Sequence, residues 1–85
     1  MYKNRAADGR CNLCGKQVAA FRKERGLSQR ALADRLQLAG IDLDKNAVQR
    51  MESGQRFVTD IELAALAHVL GVTLEALVGT EEQKS

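Results

Sequence analysis

Between Leu27 and Gly54 the chain is confined to one kind of local geometry. Leu27-Ser28-Gln29-Arg30-Ala31-Leu32-Ala33 and Asn46-Ala47-Val48-Gln49-Arg50-Met51-Glu52-Ser53-Gly54 read as two short helices, with a glycine after the second. Ser28 and Asp44 are side chains that accept the orphan N–H groups of a first helical turn. Leu32, Ala33 and Leu36 form one inward stripe, Val48 and Met51 another. Two crossing helices that bury those stripes against each other leave Lys45, Asn46 and Gln49 outward at the start of the second.

The rest of the sequence supplies three more helices. Cys14, Val18 and Phe21 fall at i, i+4 and i+7, which predicts a first helix from Asn12 to Arg25, stopped by Gly26. The second helix begins after Ser28 and ends near Leu38 or Ala39; Ile41 and Leu43 then tuck back onto the core, and the third spans Lys45–Glu52. Thr59-Asp60-Ile61-Glu62 matches a capping box and starts a fourth helix, Asp60 to Leu70, burying Leu63, Leu66, Ala67 and Leu70. Thr73 caps a short fifth helix through Val78, with Val72, Leu74 and Leu77 inward. Runs of alternating β-branched residues are absent, and alanine and leucine dominate the middle. The expected fold is therefore all-α, one compact five-helix domain at 12–79, with an arm at 1–11 and a polar tail at 80–85.

Charge divides along the chain. Residues 1–56 carry twelve Lys/Arg against six Asp/Glu, a net +6, whereas residues 57–85 carry one against five, a net −4. A basic front and an acidic back suit a protein that presents one face to phosphates. No apolar run approaches the roughly 18–20 residues of a membrane span, and no apolar signal segment is visible at the N-terminus. A cytoplasmic, nucleoid-associated protein is expected, without membrane or small-molecule partner.

The second and third helices form the layout of a helix-turn-helix, whose second helix enters the DNA major groove. Asn46 and Gln49 are suited to adenine and Lys45 to guanine, and Arg50 beside them suits a base or a phosphate. Arg56, following the third helix, suits a phosphate. Polar residues on any solvated helix look alike, so the context of the fold carries this reading.

Phe21-Arg22-Lys23-Glu24-Arg25-Gly26-Leu27-Ser28-Gln29, then Leu32-Ala33, Glu52-Ser53-Gly54 and Ala67 to Leu77, resemble the Cro/repressor-type (XRE-like) family of helix-turn-helix regulators. The resemblance runs from roughly Gly15 to Val78. It implies a phosphate contact for Gln29 and a structural ion pair between Arg22 and Glu52. Fifteen positions separate Ala33 from Val48, more than the family's usual pattern, and Leu38–Leu43 carry the excess. This is similar to a subgroup with a long turn between helices 2 and 3. The added length either extends the second helix or enlarges the loop.

Cys11-x-x-Cys14 is the competing motif. Half a zinc site and a redox pair both use this spacing, but zinc takes about four ligands. The chain holds two Cys and one His, and His68 falls on the expected outer face of the fourth helix. Cys14 as core and Cys11 as a loose thiol is the simpler reading. No nucleophile is paired with a base and no glycine-rich phosphate loop is present, so neither an enzyme nor a cofactor is expected. The expected function is a sequence-specific, double-stranded-DNA-binding transcriptional regulator, a repressor working as a homodimer through its fifth helix, where Val78 is the apolar residue expected to face the partner. The alternative is a protein-interaction module on the same fold, an antitoxin or adaptor, marked by an apolar patch on that helix and loss of the polar groove face.

Overall fold

The computed structural model describes residues 9–79; the arm up to residue 8 and the tail at 80–85 lie outside the described residues. Five helices follow one another, α1 Gly15–Glu24, α2 Gln29–Leu38, α3 Lys45–Glu52, α4 Asp60–Leu70 and α5 Leu74–Val78, with no strand among the described residues. None of these helices is long and apolar enough to cross a membrane.

Four of the five helix starts are fixed by the side chain just before them. Ser28 accepts from the Ala31 N–H, Asp44 from Ala47, Thr59 from Glu62 and Thr73 from Ala76. At Thr59 the Glu62 carboxylate reaches back to the Thr59 N–H, completing the capping box. Each such cap contributes about 0.5–2 kcal/mol, which matters for helices shorter than the ~12–15 residues that hold together alone.

The start of α1 differs from the expected Asn12. Asn12 does not enter the helix; its Oδ1 accepts the Gly15 N–H at 2.8 Å, and α1 begins there. The chain before it turns across the end of α3. Arg10 and Cys11, assigned from sequence to the arm, are bonded to the carbonyls of Glu52 and Gly54.

Val18, Leu32, Leu36, Val48, Met51, Leu66, Leu70 and Leu77 are the large side chains fully removed from solvent, with Cys14, Ala33, Leu43, Ala47 and Ala67 between them. This core lies where α3 crosses α2 and α1, α4 backs onto α2, and α5 closes against α1 and α4. Phe21 and Leu63 are half-buried at its edge rather than inside.

Leu74 corrects the expected inward set of α5: it is 49% exposed. A helix of five residues turns only one apolar position fully inward, and Leu77 takes it, while half-buried Val72 covers the core just before the helix.

The long connection before α3 is ordered. α2 stops at Leu38, and Gly40, with φ +91°, reverses the chain so that the Ile41 N–H reaches the Leu36 carbonyl at 2.9 Å. That backbone angle favours glycine. Gln37 Nε2 donates to the Leu43 carbonyl at 3.1 Å, and Leu43 is buried. The turn is thus tied at both ends and presents Asp44 as the cap of α3.

Candidate nucleic-acid interface

α3 divides cleanly between two faces. Ala47, Val48 and Met51 are buried, whereas Lys45, Asn46, Gln49 and Arg50 are all exposed. The exposed four occupy i, i+1, i+4 and i+5, which places them side by side on one surface of the helix. Between α2 and the start of α3 lies a polar cleft of about 310 Å³ lined by Arg30, Asp34, Gln37, Asp44, Lys45 and Asn46. Arg30 is an addition to the residues singled out from sequence. It follows Gln29 in the first turn of α2, so its place beside Lys45 depends on how α2 crosses α3. Asp34 and Asp44 temper the positive charge there.

Behind this face sits an ion pair removed from water. Arg22 Nε donates to Glu52 Oε2 at 2.7 Å and Nη2 to Oε1 at 3.1 Å, with the side chains only 11% and 7% exposed. Arg22 Nη1 also donates to the Leu27 carbonyl at 2.8 Å. The Glu52 carboxylate takes a third donor, Gln29 Nε2 at 3.0 Å. Gln29 is consequently held by a charge-assisted bond at the beginning of α2, with its second amide N–H not used on Glu52.

Arg56 is engaged more closely than its place in a loop suggested. Nη1 and Nη2 donate to Glu62 Oε1 and Oε2 at 2.8 and 3.0 Å, and Nη1 donates also to the Phe57 carbonyl at 2.8 Å. The hydrogen bonds from Arg56 hold the Glu62 carboxyl below the usual carboxylate range, aided by the Thr59 N–H, and the Arg56 guanidinium is pushed up in turn. The fork thus fastens the loop after α3 to the first turn of α4. Two N–H groups of Arg56, at Nε and Nη2, stay outside these bonds.

Three residues missed in sequence bind the end of α3. Asn12 Nδ2 donates to the Met51 carbonyl at 3.0 Å and the Arg56 carbonyl at 2.7 Å. Arg10 Nη2 donates to the Glu52 carbonyl at 2.7 Å, and the Cys11 N–H to the Gly54 carbonyl at 2.8 Å. Gly54 has φ +84°, and a Cβ there would meet the Arg10 side chain at 2.7 Å.

Cys14 is buried just before α1 and Cys11 is half-buried; both are free thiols. Burial pushes the Cys14 thiol up, away from the thiolate that redox chemistry and metal ligation require. Among the described residues no group of three or more His, Cys, Asp or Glu side chains is placed to hold a metal ion. His68 is exposed on α4.

Comparison with known proteins places this geometry. The helix-turn-helix family HTH_3 matches residues 18–77. The structure is similar to that of the restriction-modification controller protein C.AhdI from Aeromonas hydrophila, at 32% identity and a TM-score of 0.65 over 74% of this chain and 88% of that one. It is similar also to an HTH_3 family transcriptional regulator from Vibrio cholerae, at 25% identity and a TM-score of 0.69, covering 86% of this chain but 38% of that protein. The hypothetical transcription factor NHTF from Neisseria shares the fold at 22% identity, with a TM-score of 0.71 over 85% of this chain and 77% of that one. No curated protein matches the chain in sequence.

Proposed function

We propose that this chain, which belongs to the helix-turn-helix family HTH_3 and is a DNA-binding regulator, represses transcription by inserting α3 into the major groove of double-stranded DNA. The observation that carries this reading is the divided surface of α3, four polar or basic side chains outward and three apolar ones inward. Lys45, Asn46 and Gln49 read base edges, because amide side chains pair bidentately with adenine and Lys with guanine. Gln29, Arg50 and Arg56 contact phosphates and set the register. Gln29 offers its second amide N–H, and Arg56 the N–H groups outside its fork with Glu62. Arg22 and Glu52 act from behind as a structural pair.

Two copies on a two-fold site supply the contacts that one small domain lacks, with half-sites about one helical turn, roughly 34 Å, apart. Exposed Leu74 on α5 supports that surface as the dimer contact. The functional unit is the helical domain at 12–79 together with Arg10 and Cys11, which bond to the end of α3, working in the cytoplasm on the nucleoid.

The test is selection of bound duplexes from a random pool, followed by titration of the recovered sequence against salt. A palindromic consensus and a log–log salt slope near −0.9 for each neutralised phosphate are expected. Absence of binding at low salt across the pool would move the protein to the adaptor or antitoxin class.

A further inference from the structure

The four last carbonyls of an α-helix have no partner within it, and in α3 each of them is met. The Ser53 N–H reaches the Gln49 carbonyl at 3.0 Å and the Gln55 N–H the Arg50 carbonyl at 2.8 Å. The remaining two draw on the far end of the chain. Met51 receives Asn12 Nδ2 beside the Gly54 N–H, and Glu52 receives Arg10 Nη2. Arg10 also brings positive charge to the negative end of the helix dipole. All of these N-terminal contacts come from residues that precede position 18, where the match to the family begins.

We propose that Asn12 is a positioning residue for DNA recognition, fixing the end of α3 and the loop after it in one geometry; this rests on the reading of α3 as the groove helix. One amide spans both parts. Its two N–H groups hold the Met51 carbonyl in α3 and the Arg56 carbonyl in the loop, while its oxygen accepts the Gly15 N–H at the start of α1. The distance between the base-reading helix and the phosphate-contacting loop is thereby set from α1. Gly15 shows how close the approach is: a Cβ there would strike the Met51 carbonyl oxygen. α3 is only eight residues long and is held on the core through Ala47, Val48 and Met51, and bidentate pairing with a base tolerates little tilt. Asp44 fixes the leading end of α3 and Asn12 the trailing end.

Asn12→Asp separates this role from that of the α1 start. It keeps an oxygen for the Gly15 N–H and replaces the donor with a second oxygen facing two carbonyls. Leu13→Asp, at a neighbouring side chain that is 56% exposed, controls for the added negative charge. In the full chain, amide exchange at Ser53, Gly54 and Gln55 is expected to quicken about tenfold in Asn12→Asp with little change in α4, in keeping with the loss of one or two hydrogen bonds. Affinity for the duplex recovered from the random pool is expected to fall about tenfold relative to a scrambled duplex, with scrambled binding equal to that of Leu13→Asp. A merely structural role would lower melting temperature and leave that ratio unchanged in the folded protein, which would overturn the proposal. Unchanged exchange at Ser53 to Gln55 would overturn it as well. A wild type that selects no sequence refutes the groove reading instead, and the exchange measurement then still decides the clamp. If Asn12→Asp does not fold, Arg10→Met removes the donor to the Glu52 carbonyl; a change in the same direction, about threefold, supports the clamp and no change overturns it.

Discussion

Gln29 Nε2 lies 3.0 Å from Glu52 Oε1, on the same carboxylate that receives the Arg22 guanidinium. The residue proposed to meet a phosphate at the front of α2 is therefore anchored to an ion pair behind α3. A buried carboxylate with one partner removed keeps its charge and loses its compensation. Arg22→Met is expected to destabilise the fold by about 3–5 kcal/mol, measured by urea unfolding. In a double-mutant cycle with Glu52→Leu, the two losses should fall well short of adding, since the second change removes the charge stranded by the first. Additive losses would mean that the pair contributes little at this site.

Base and phosphate contacts should separate in the α3 variants. Asn46→Ala and Gln49→Ala are each expected to flatten sequence preference, by about 1–3 kcal/mol of discrimination at one base pair, with weaker effects on scrambled duplex. Arg50→Ala should weaken all duplexes alike and lower the salt slope by about 1. Competition binding with single-base-pair variants of the selected site distinguishes them. Changed base preference in Arg50→Ala, with none in the other two, would shift the groove-facing surface of α3 toward its C-terminal half.

The capping chemistry that fixes four helices is local, and it was legible. Ser28, Asp44, Thr59 with Glu62, and Thr73 each sit within three residues of the N–H they receive. The exposed face of α3 was legible for the same reason, since a helix of known register sorts its own side chains. The Asn12 contacts join positions 39 and 44 apart, and an asparagine in a polar leader resembles any helix start. Arg56 and Glu62 are six apart across a loop, a spacing with no helical signature. Leu74 was misplaced because period alone cannot say which side of so short a helix α1 and α4 will cover. Each of these was settled by tertiary contact, where local pattern has no reach.

Glu62 gives the fold an acid limit. Its carboxyl titrates below the usual range, chiefly through the hydrogen bonds from Arg56. A carboxyl whose folded pKa is depressed contributes stability that is fully present above its unfolded value, about 4.3, and lost as pH falls through the folded value. Unfolding at pH 7 should therefore show the whole contribution, and unfolding below about pH 4 a shrinking one. Glu62→Gln is expected to lower the urea midpoint at pH 7 and to narrow its gap from wild type as the medium is acidified. A gap that stays constant from pH 7 to pH 3 would show that the carboxylate form is not what stabilises the loop.

Leu74 is the residue on which the proposed dimer turns. It is 49% exposed beside fully buried Leu77, so removing it should cost the monomer little while removing an apolar contact from any partner surface. Leu74→Asp is expected to leave unfolding within about 0.5 kcal/mol of wild type, as for other changes at exposed positions. It should also convert a micromolar dimer to monomer in sedimentation. Affinity for a two-fold site should then drop much more than affinity for a half-site, because only the former uses both copies at once. Leu77→Asp serves as the contrast: its charge enters the core, and the fold itself should fail. A wild type that sediments as a monomer both free and on DNA would remove the dimer, and the groove contacts of α3 would then have to supply site choice from a single domain.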